Sequence, residues 1–345
     1  MVAGLLQMRG SIAIDQFWPT GRSDADTTKI VLTVSPNAIE FRKNSSSPFH
    51  ATHAFDHAMV KGRTSKPPIK NGQVTVRLQG IDATELHYQP SPLSSTERKT
   101  SNPAKRNAYH LVTHPYRQFL GATATKALRD FLATTGQPAL ACRVFTQVDQ
   151  PDEVFDTYGR LVGDIEATIG GKLVNINQWL VEHGWAFPTF YSSMTNDEIN
   201  TLLGLGKTAR SKKSNLWKYL SKSIGPFNFN LLEPKKNDLS VLATDKGPVI
   251  LPKLYRRYTN WSARNKAKIT SQNFQKFLAA GSNGKPDVCF VTPDFLANGV
   301  HSATHRTFDQ FVVAGKTTKF EPDGLVFSEA PSALIGADGK PITQF

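Results

Sequence analysis

Arg77-Leu78-Gln79-Gly80-Ile81-Asp82-Ala83-Thr84-Glu85 is the stretch that decides the fold. Val74, Val76 and Leu78 recur at every second position and continue to Ile81, which reads as a strand over 74–81 with one buried face. The strand ends in Asp-Ala-Thr-Glu, so an arginine and two carboxylates lie around one strand end. That grouping suits a cation, a water-activating base and a phosphate clamp. Upstream, Asp24-Ala25-Asp26-Thr27 places a second acidic pair ahead of the β-rich run Ile30–Val34. Downstream, Asp156-Thr157-Tyr158-Gly159-Arg160 sets another arginine beside a tight turn, with Gly159 at positive φ. Three separate segments thus carry the parts of a metal-assisted phosphodiesterase.

The intervening sequence supplies the other elements. Alternation at Ile12, Ile14 and Phe17 reads as strand-like, and Leu140–Val148 and Leu161–Ala167 read as further strands. Ala122, Ala124, Ala127, Leu128, Phe131 and Leu132 give 121–132 the apolar face of a helix. Asn175 caps a helix over 176–183 that Gly184 ends. A third helix opens at Asn196-Asp197-Glu198, its acidic first turn and basic end matching the helix dipole, with Trp217 packed beneath it. Residues 43–72 read as an elaborated hairpin or surface insertion, and the Ser/Pro/Lys-rich stretch 88–108 as a mobile loop.

With 345 residues the chain is long enough for two domains, divided near Ser223-Ile224-Gly225-Pro226. Its net charge of +13 favours polyanions, nucleic acid above all. Residues 225–345 hold 15 Lys and Arg against 10 Asp and Glu, so the basic character extends into both parts. Cys142 and Cys289 are far apart among apolar neighbours and read as buried thiols, without a disulfide framework. The N-terminus lacks the pattern of a signal peptide, and no stretch is apolar enough to span a bilayer, so a cytoplasmic location is expected.

Taken in order, Asp-x-Asp-Thr, Arg-x-x-Gly-Ile-Asp-x-x-Glu and Asp-x-Tyr-Gly-Arg come first. Lys172-Leu173-Val174-Asn175 with Leu180-Val181-Glu182-His183-Gly184-Trp185-Ala186, and then Lys212-Lys213-Ser214-Asn215-Leu216-Trp217, follow them. This series resembles the staphylococcal (thermonuclease) family of calcium-dependent nucleases over about residues 10–218. The resemblance implies an α+β fold: a five-stranded OB-type β-barrel with three helices in residues 1–224, with long insertions near 35–72 and 86–118. A smaller α+β domain of unknown role would occupy 225–345. It further implies that Asp26, Asp82 and the carbonyl of Ala83 hold a divalent metal, Ca²⁺ first, with Mg²⁺ or another ion possible. Glu85 would orient or deprotonate water, and Arg77 and Arg160 would hold the phosphate. Hard oxygen donors suit such ions, and planar guanidinium groups match phosphate oxygens. The expected activity is hydrolysis of DNA, RNA or both by an endonuclease-type hydrolase.

The sequence departs from the family pattern at Thr84, where proline is usual before the catalytic glutamate, and at Ala25 in place of glycine. A second alignment puts Ser35-Pro36-Asn37 in the first ligand slot, with Asn37 in place of Asp26. Phe190 and Tyr191 correspond loosely to the family's substrate-contacting tyrosines. Two rival functions stand beside the nuclease: an OB barrel that binds nucleic acid without cutting it, and a nuclease delivered to a protein partner by residues 225–345. Two further patterns invite a function. His50, His53 and His57 would share one face if helical and could then hold zinc, although a polar insertion with several histidines is the reading preferred for them. Tyr255-Arg256-Arg257-Tyr258, with Trp261, interleaves aromatics and cations, which suits either a base-stacking surface or a basic helix with Trp261, Phe274 and Phe277 toward the core.

Overall fold

The computed structural model describes residues 4–61, 65–244, 246–281, 284–329 and 332–345. Residues 1–3 of the weakly apolar N-terminus and 62–64 of the cation-rich insertion lie outside the described residues. The chain groups into two compact units: 1–81 with 126–180 and 329–345, and 82–125 with 181–328. These units interleave along the sequence, whereas the expected division falls once, near residue 225.

The first unit is a closed barrel. Its strands are β1 (Leu5–Ala13), β2 (Thr27–Leu32), β3 (Gln73–Leu78), β4 (Ala139–Gln147) and β5 (Leu161–Ile169). Around the barrel the order is β1-β2-β3-β5-β4, and β4 closes it by pairing with β1 from Leu5↔Gln147 to Ala13↔Ala139. Every pairing is antiparallel except β3 with β5, where Leu161 lies opposite Val76 and Val162 opposite Arg77. This is the mixed five-stranded topology of the OB type. Strict alternation builds it: Leu6, Met8 and Ile12 of β1, Val74, Val76 and Leu78 of β3, and Leu161 and Ile165 of β5 all point inward and are buried. Thr75 and Arg77 take the outer face of β3. The expected strand 74–81 is two strands, β3 and Ile81–Ala83, separated at Gln79-Gly80.

The insertion between β2 and β3 carries short strands at Ile39–Arg42, His50–Ala51, Met59–Lys61 and Ile69–Lys70. Phe55 meets the ring of Phe155 edge to face at 5.2 Å. The end of the chain belongs to this unit too: Ala333–Ile335 pairs with Met59–Lys61, and Phe345 stacks on Phe41 at 3.9 Å.

Four helices matter for the site: α1 (Gly121–Ala133), α2 (Ile176–Glu182), α3 (Asn196–Ser211) and α4 (Pro252–Lys266). The Asn175 side chain accepts from the Gln178 backbone at 3.1 Å, capping α2 as its sequence predicts. In the second unit one hydrophobic core joins Phe119, Phe187 and Trp217 to Leu254, Phe274 and Phe327. Residues 225–328, a smaller α+β portion, therefore share their core with residues from 119 to 217. Its strand Val288–Val291 pairs with Leu325–Phe327. Cys142 and Cys289 are buried free thiols, and burial pushes the pKa of each up to about 12. Among the described residues no helix is long and apolar enough to cross a membrane.

The stretch 88–108 is ordered rather than a mobile loop. It forms helices Ser95–Thr100 and Pro103–His110, the first closed by a capping box between Ser94 and Glu97. Helix α4 fixes this stretch. Arg264 donates to Glu97 and to the Tyr109 hydroxyl, and the side-chain oxygen of Asn260 accepts from the Ser91 backbone at 2.7 Å.

Candidate functional site

In the first unit the structure brings Asp26 and Arg77 together. Asp26 precedes β2 and Arg77 lies on the outer face of β3, and the pairing Thr27↔Arg77 makes them neighbours. The backbone of Leu78 donates to the Asp26 carbonyl at 2.8 Å, which fixes the register. Arg77 Nη1 lies 3.9 Å from Asp26 Oδ2, and both side chains are largely buried. Arg77 Nη2 also donates to the Ile81 carbonyl at 3.4 Å, and Thr27 Oγ1 donates to Asp26 Oδ1 at 3.1 Å. Asn37, the alternative to Asp26, is exposed in a turn where its backbone bonds to Ser35 Oγ. Of the two, Asp26 alone has the buried setting and the arginine neighbour.

Arg160 stands at the start of β5, after a turn in which Gly159 has φ 71°. A non-glycine residue would be strained at that φ. Asp156 organises the turn: its Oδ1 accepts from the backbones of Tyr158 and Arg160, and its Oδ2 accepts from Arg160 Nε at 2.7 Å. The guanidinium is thereby held in one orientation, over the ring of the exposed Tyr158 at 5.5 Å.

In the second unit lie Asp82, Ala83 and Glu85. The strand Ile81–Ala83 pairs with Ala186–Pro188, and the Asp82 side chain has no exposed surface. The turn holding Glu85 is gripped by its backbone. The Gln118 backbone donates to the Glu85 carbonyl at 2.7 Å, and Gln118 Nε2 donates to the Ile250 carbonyl at 2.6 Å. Gly121, at the start of α1, packs so close that a Cβ there would collide with the Glu85 carbonyl oxygen and crowd that of Thr84.

One side chain that reaches both acids is Arg256, from the second turn of α4. Its Nη1 donates to Asp82 Oδ1 at 3.0 Å and its Nη2 to Asp82 Oδ2 at 3.1 Å. The same Nη1 also bonds to Glu85 Oε1. Burial works against the charge of Arg256, but Asp82 and Glu85 more than offset it, so its pKa stands well above the ordinary arginine value. Of the two readings of the run around Arg256, a base-stacking surface or a basic helix with its aromatics toward the core, the contacts fit the second. Tyr255 donates to the Arg117 carbonyl at 2.8 Å, Arg257 forks onto Asp287 at 2.7 and 2.8 Å, and Tyr258 donates to the Gly225 carbonyl at 2.8 Å. Trp261 stacks on Tyr258 and donates to the Gln272 carbonyl. The run is internal structure.

The expected donors for a divalent ion are Asp26, Asp82 and the Ala83 carbonyl. Two carboxylates and a carbonyl are the right chemistry for Ca²⁺. As arranged, however, they do not fit one, because both oxygens of Asp82 already accept from a guanidinium. Among the described residues no group of three or more His, Cys, Asp or Glu is placed to hold a metal. The histidine series fails as a zinc site for a simpler reason. His50 is in a strand, His53 bonds to Asp56 at 3.0 Å, and His57 has φ 58°, so the three share no helical face. Phe190 is fully buried and belongs to the core.

Barrel topology, turn and arginine placement together define a nuclease-like OB fold. Residues 75–219 match the family model described as staphylococcal nuclease homologue. The matched segment contains Arg77, Asp82, Ala83, Glu85 and Arg160, and it begins downstream of Asp26. Comparison with curated proteins finds no match.

Proposed function

We propose that this protein is a phosphodiesterase acting on nucleic acid, DNA, RNA or both. The observation that carries the reading is the preset guanidinium of Arg77, buried beside Asp26 and tied to the Ile81 carbonyl on the outer face of β3. An arginine fixed this way loses little freedom when it takes a phosphate, and its planar fork matches two phosphate oxygens. Arg160, oriented by Asp156, would add a second such group. In this reading the two arginines hold the diester and stabilise charge as it grows on the phosphoryl oxygens. Glu85, once released from Arg256, takes the proton of the attacking water. Water then adds in line as the bond to the 5′ oxygen breaks, and that departing oxygen takes a proton from solvent.

A second reading, binding of nucleic acid without hydrolysis, is favoured by the engagement of Asp82 and Glu85 with Arg256. Incubating the full-length protein with labelled single-stranded DNA and RNA separates the two, in Ca²⁺, in Mg²⁺ and with chelator. Metal-stimulated cleavage that Glu85→Ala abolishes, while strand binding persists, establishes hydrolysis. Binding with no cleavage under any of these conditions establishes the second reading instead.

A further inference from the structure

We propose that Lys66, carried on the insertion between β2 and β3, is a further phosphate contact, taking the backbone phosphate next to the one that Arg160 holds. This role rests on Arg160 as a phosphate-holding group and is independent of whether the strand is then cut.

The local sequence sets the backbone of Lys66. Pro67 follows it, and a residue before proline is biased to the extended region. Extended, it pairs with Val60: the Val60 backbone donates to the Lys66 carbonyl at 2.9 Å, and the Lys66 backbone to the Val60 carbonyl at 3.3 Å. Residues opposite each other in such a bridge send their side chains to one side. Here that side meets the turn before β5. A Cβ placed on Gly159 would lie 2.8 Å from Lys66 Cε and 3.6 Å from Val60 Cβ. The lysine stem thus crosses the residue directly before Arg160, and its ammonium is one bond further on. Any side chain at 159 would push that stem away.

The stem is pinned from both ends. Met59–Lys61 pairs along its length with Ala333–Ile335, Leu334 opposite Val60, and both of these residues are buried. Pro68, two residues past Lys66, is buried as well. The charge is left for a ligand. Asp156, the acid of this turn, gives Oδ1 to two backbone N–H groups and Oδ2 to Arg160 Nε and Nη2 at 2.7 and 2.6 Å. Lys66 is exposed, and among the described residues it makes no ion pair. A planar fork grips one phosphate, and a compact ammonium beside it meets the next as a point charge.

Fluorescence anisotropy with labelled single-stranded oligothymidylate, in chelator and at several salt concentrations, tests this on full-length wild type, K66A, K66R and K61A. K66A should weaken binding on the order of fivefold, the upper end for an exposed ion pair. It should also lower the slope of log affinity against log salt by about 0.7, the share of one phosphate on a single strand. K66R should keep both. Lys61 follows Val60, and strand alternation turns it to the opposite side, so K61A should stay near wild type. K66A binding as tightly as K61A overturns the proposal. Weaker binding of K66A with an unchanged salt slope overturns it too, because that marks a change of shape and not a lost phosphate contact. Strand cleavage in Ca²⁺ and in Mg²⁺ on the same samples keeps the two ideas apart. The predicted K66A defect in a protein that never cuts upholds Lys66 and removes hydrolysis. A protein that binds and cuts equally well as K66A and K61A does the reverse, and a wild type that neither binds nor cuts removes both.

Discussion

Arg264 Nε donates to Glu97 Oε1 at 2.7 Å, joining α4 to the helix Ser95–Thr100 across 167 residues of chain. Burial pushes Glu97 up, and the bonds from Arg264 and Ser94 outweigh it, so Glu97 sits below its ordinary pKa. Arg264→Ala takes the guanidinium from this carboxylate, which keeps its bond from the Ser94 backbone, and removes a donor to the Tyr109 hydroxyl. Glu97 is 28% exposed, so water softens the loss, and destabilisation of about 2–3 kcal/mol is expected, below the fully buried case. Urea unfolding measures it, and limited proteolysis should show faster cutting within 95–110.

Gly121→Ala tests the grip on the turn that holds Glu85. The added methyl collides with the Glu85 carbonyl oxygen, which Gln118 holds in place, so the turn must shift. A cost of about 1–3 kcal/mol is expected, typical of overpacking. Under the hydrolytic reading, cleavage should fall further than stability explains, measured as kcat at a temperature where the variant is fully folded.

Arg77→Lys keeps the charge and removes the fork. Under the hydrolytic reading, cleavage should drop about 10²-fold, as when one preorganised donor is lost. Strand binding should weaken less. Turnover and filter binding at several salt concentrations separate the effects, because phosphate contacts depend steeply on salt.

Asp287 gives a pH dependence with a definite sign. Burial raises its pKa, but Arg257 and Lys253 more than reverse that, holding it below the ordinary value of 3.8. A carboxylate depressed in the folded state contributes stability that is present above its unfolded pKa and lost as pH falls through the folded one. Wild type should therefore lose stability as pH drops below 3.8, and Asp287→Asn should flatten that part of the curve. Thermal unfolding across acidic pH reads it directly.

The barrel was legible because alternation along Val74-Thr75-Val76-Arg77-Leu78 states which face is inside, and such a pattern needs no knowledge of distant chain. Helix α2 was legible for a similar reason, with Asn175 and Gly184 marking its ends locally. The ordering of 88–108 was harder to see. Its composition is that of a loop, and the capping box Ser94-x-x-Glu97 was the one local sign of a helix. Arg256 was visible only as a cation among aromatics. The spacing Arg256, Asn260, Arg264 marks a polar stripe on one helix face, but a stripe cannot say what it meets. Its first partner is Asp82, 174 residues away. The core that Phe119, Phe187 and Trp217 share with residues beyond 250 was hidden for the same reason, since nothing near them in the sequence says what will cover them.

The pairing of Met59–Lys61 with Ala333–Ile335 fixes an order of events during synthesis. The earlier strand leaves the ribosome roughly 15 s or more ahead of its complement, at translation speeds of about 5–20 residues per second. Throughout that interval the insertion keeps an open hydrogen-bonding edge. That edge stays a template for wrong partners until residues 333–335 have been made and can cover it.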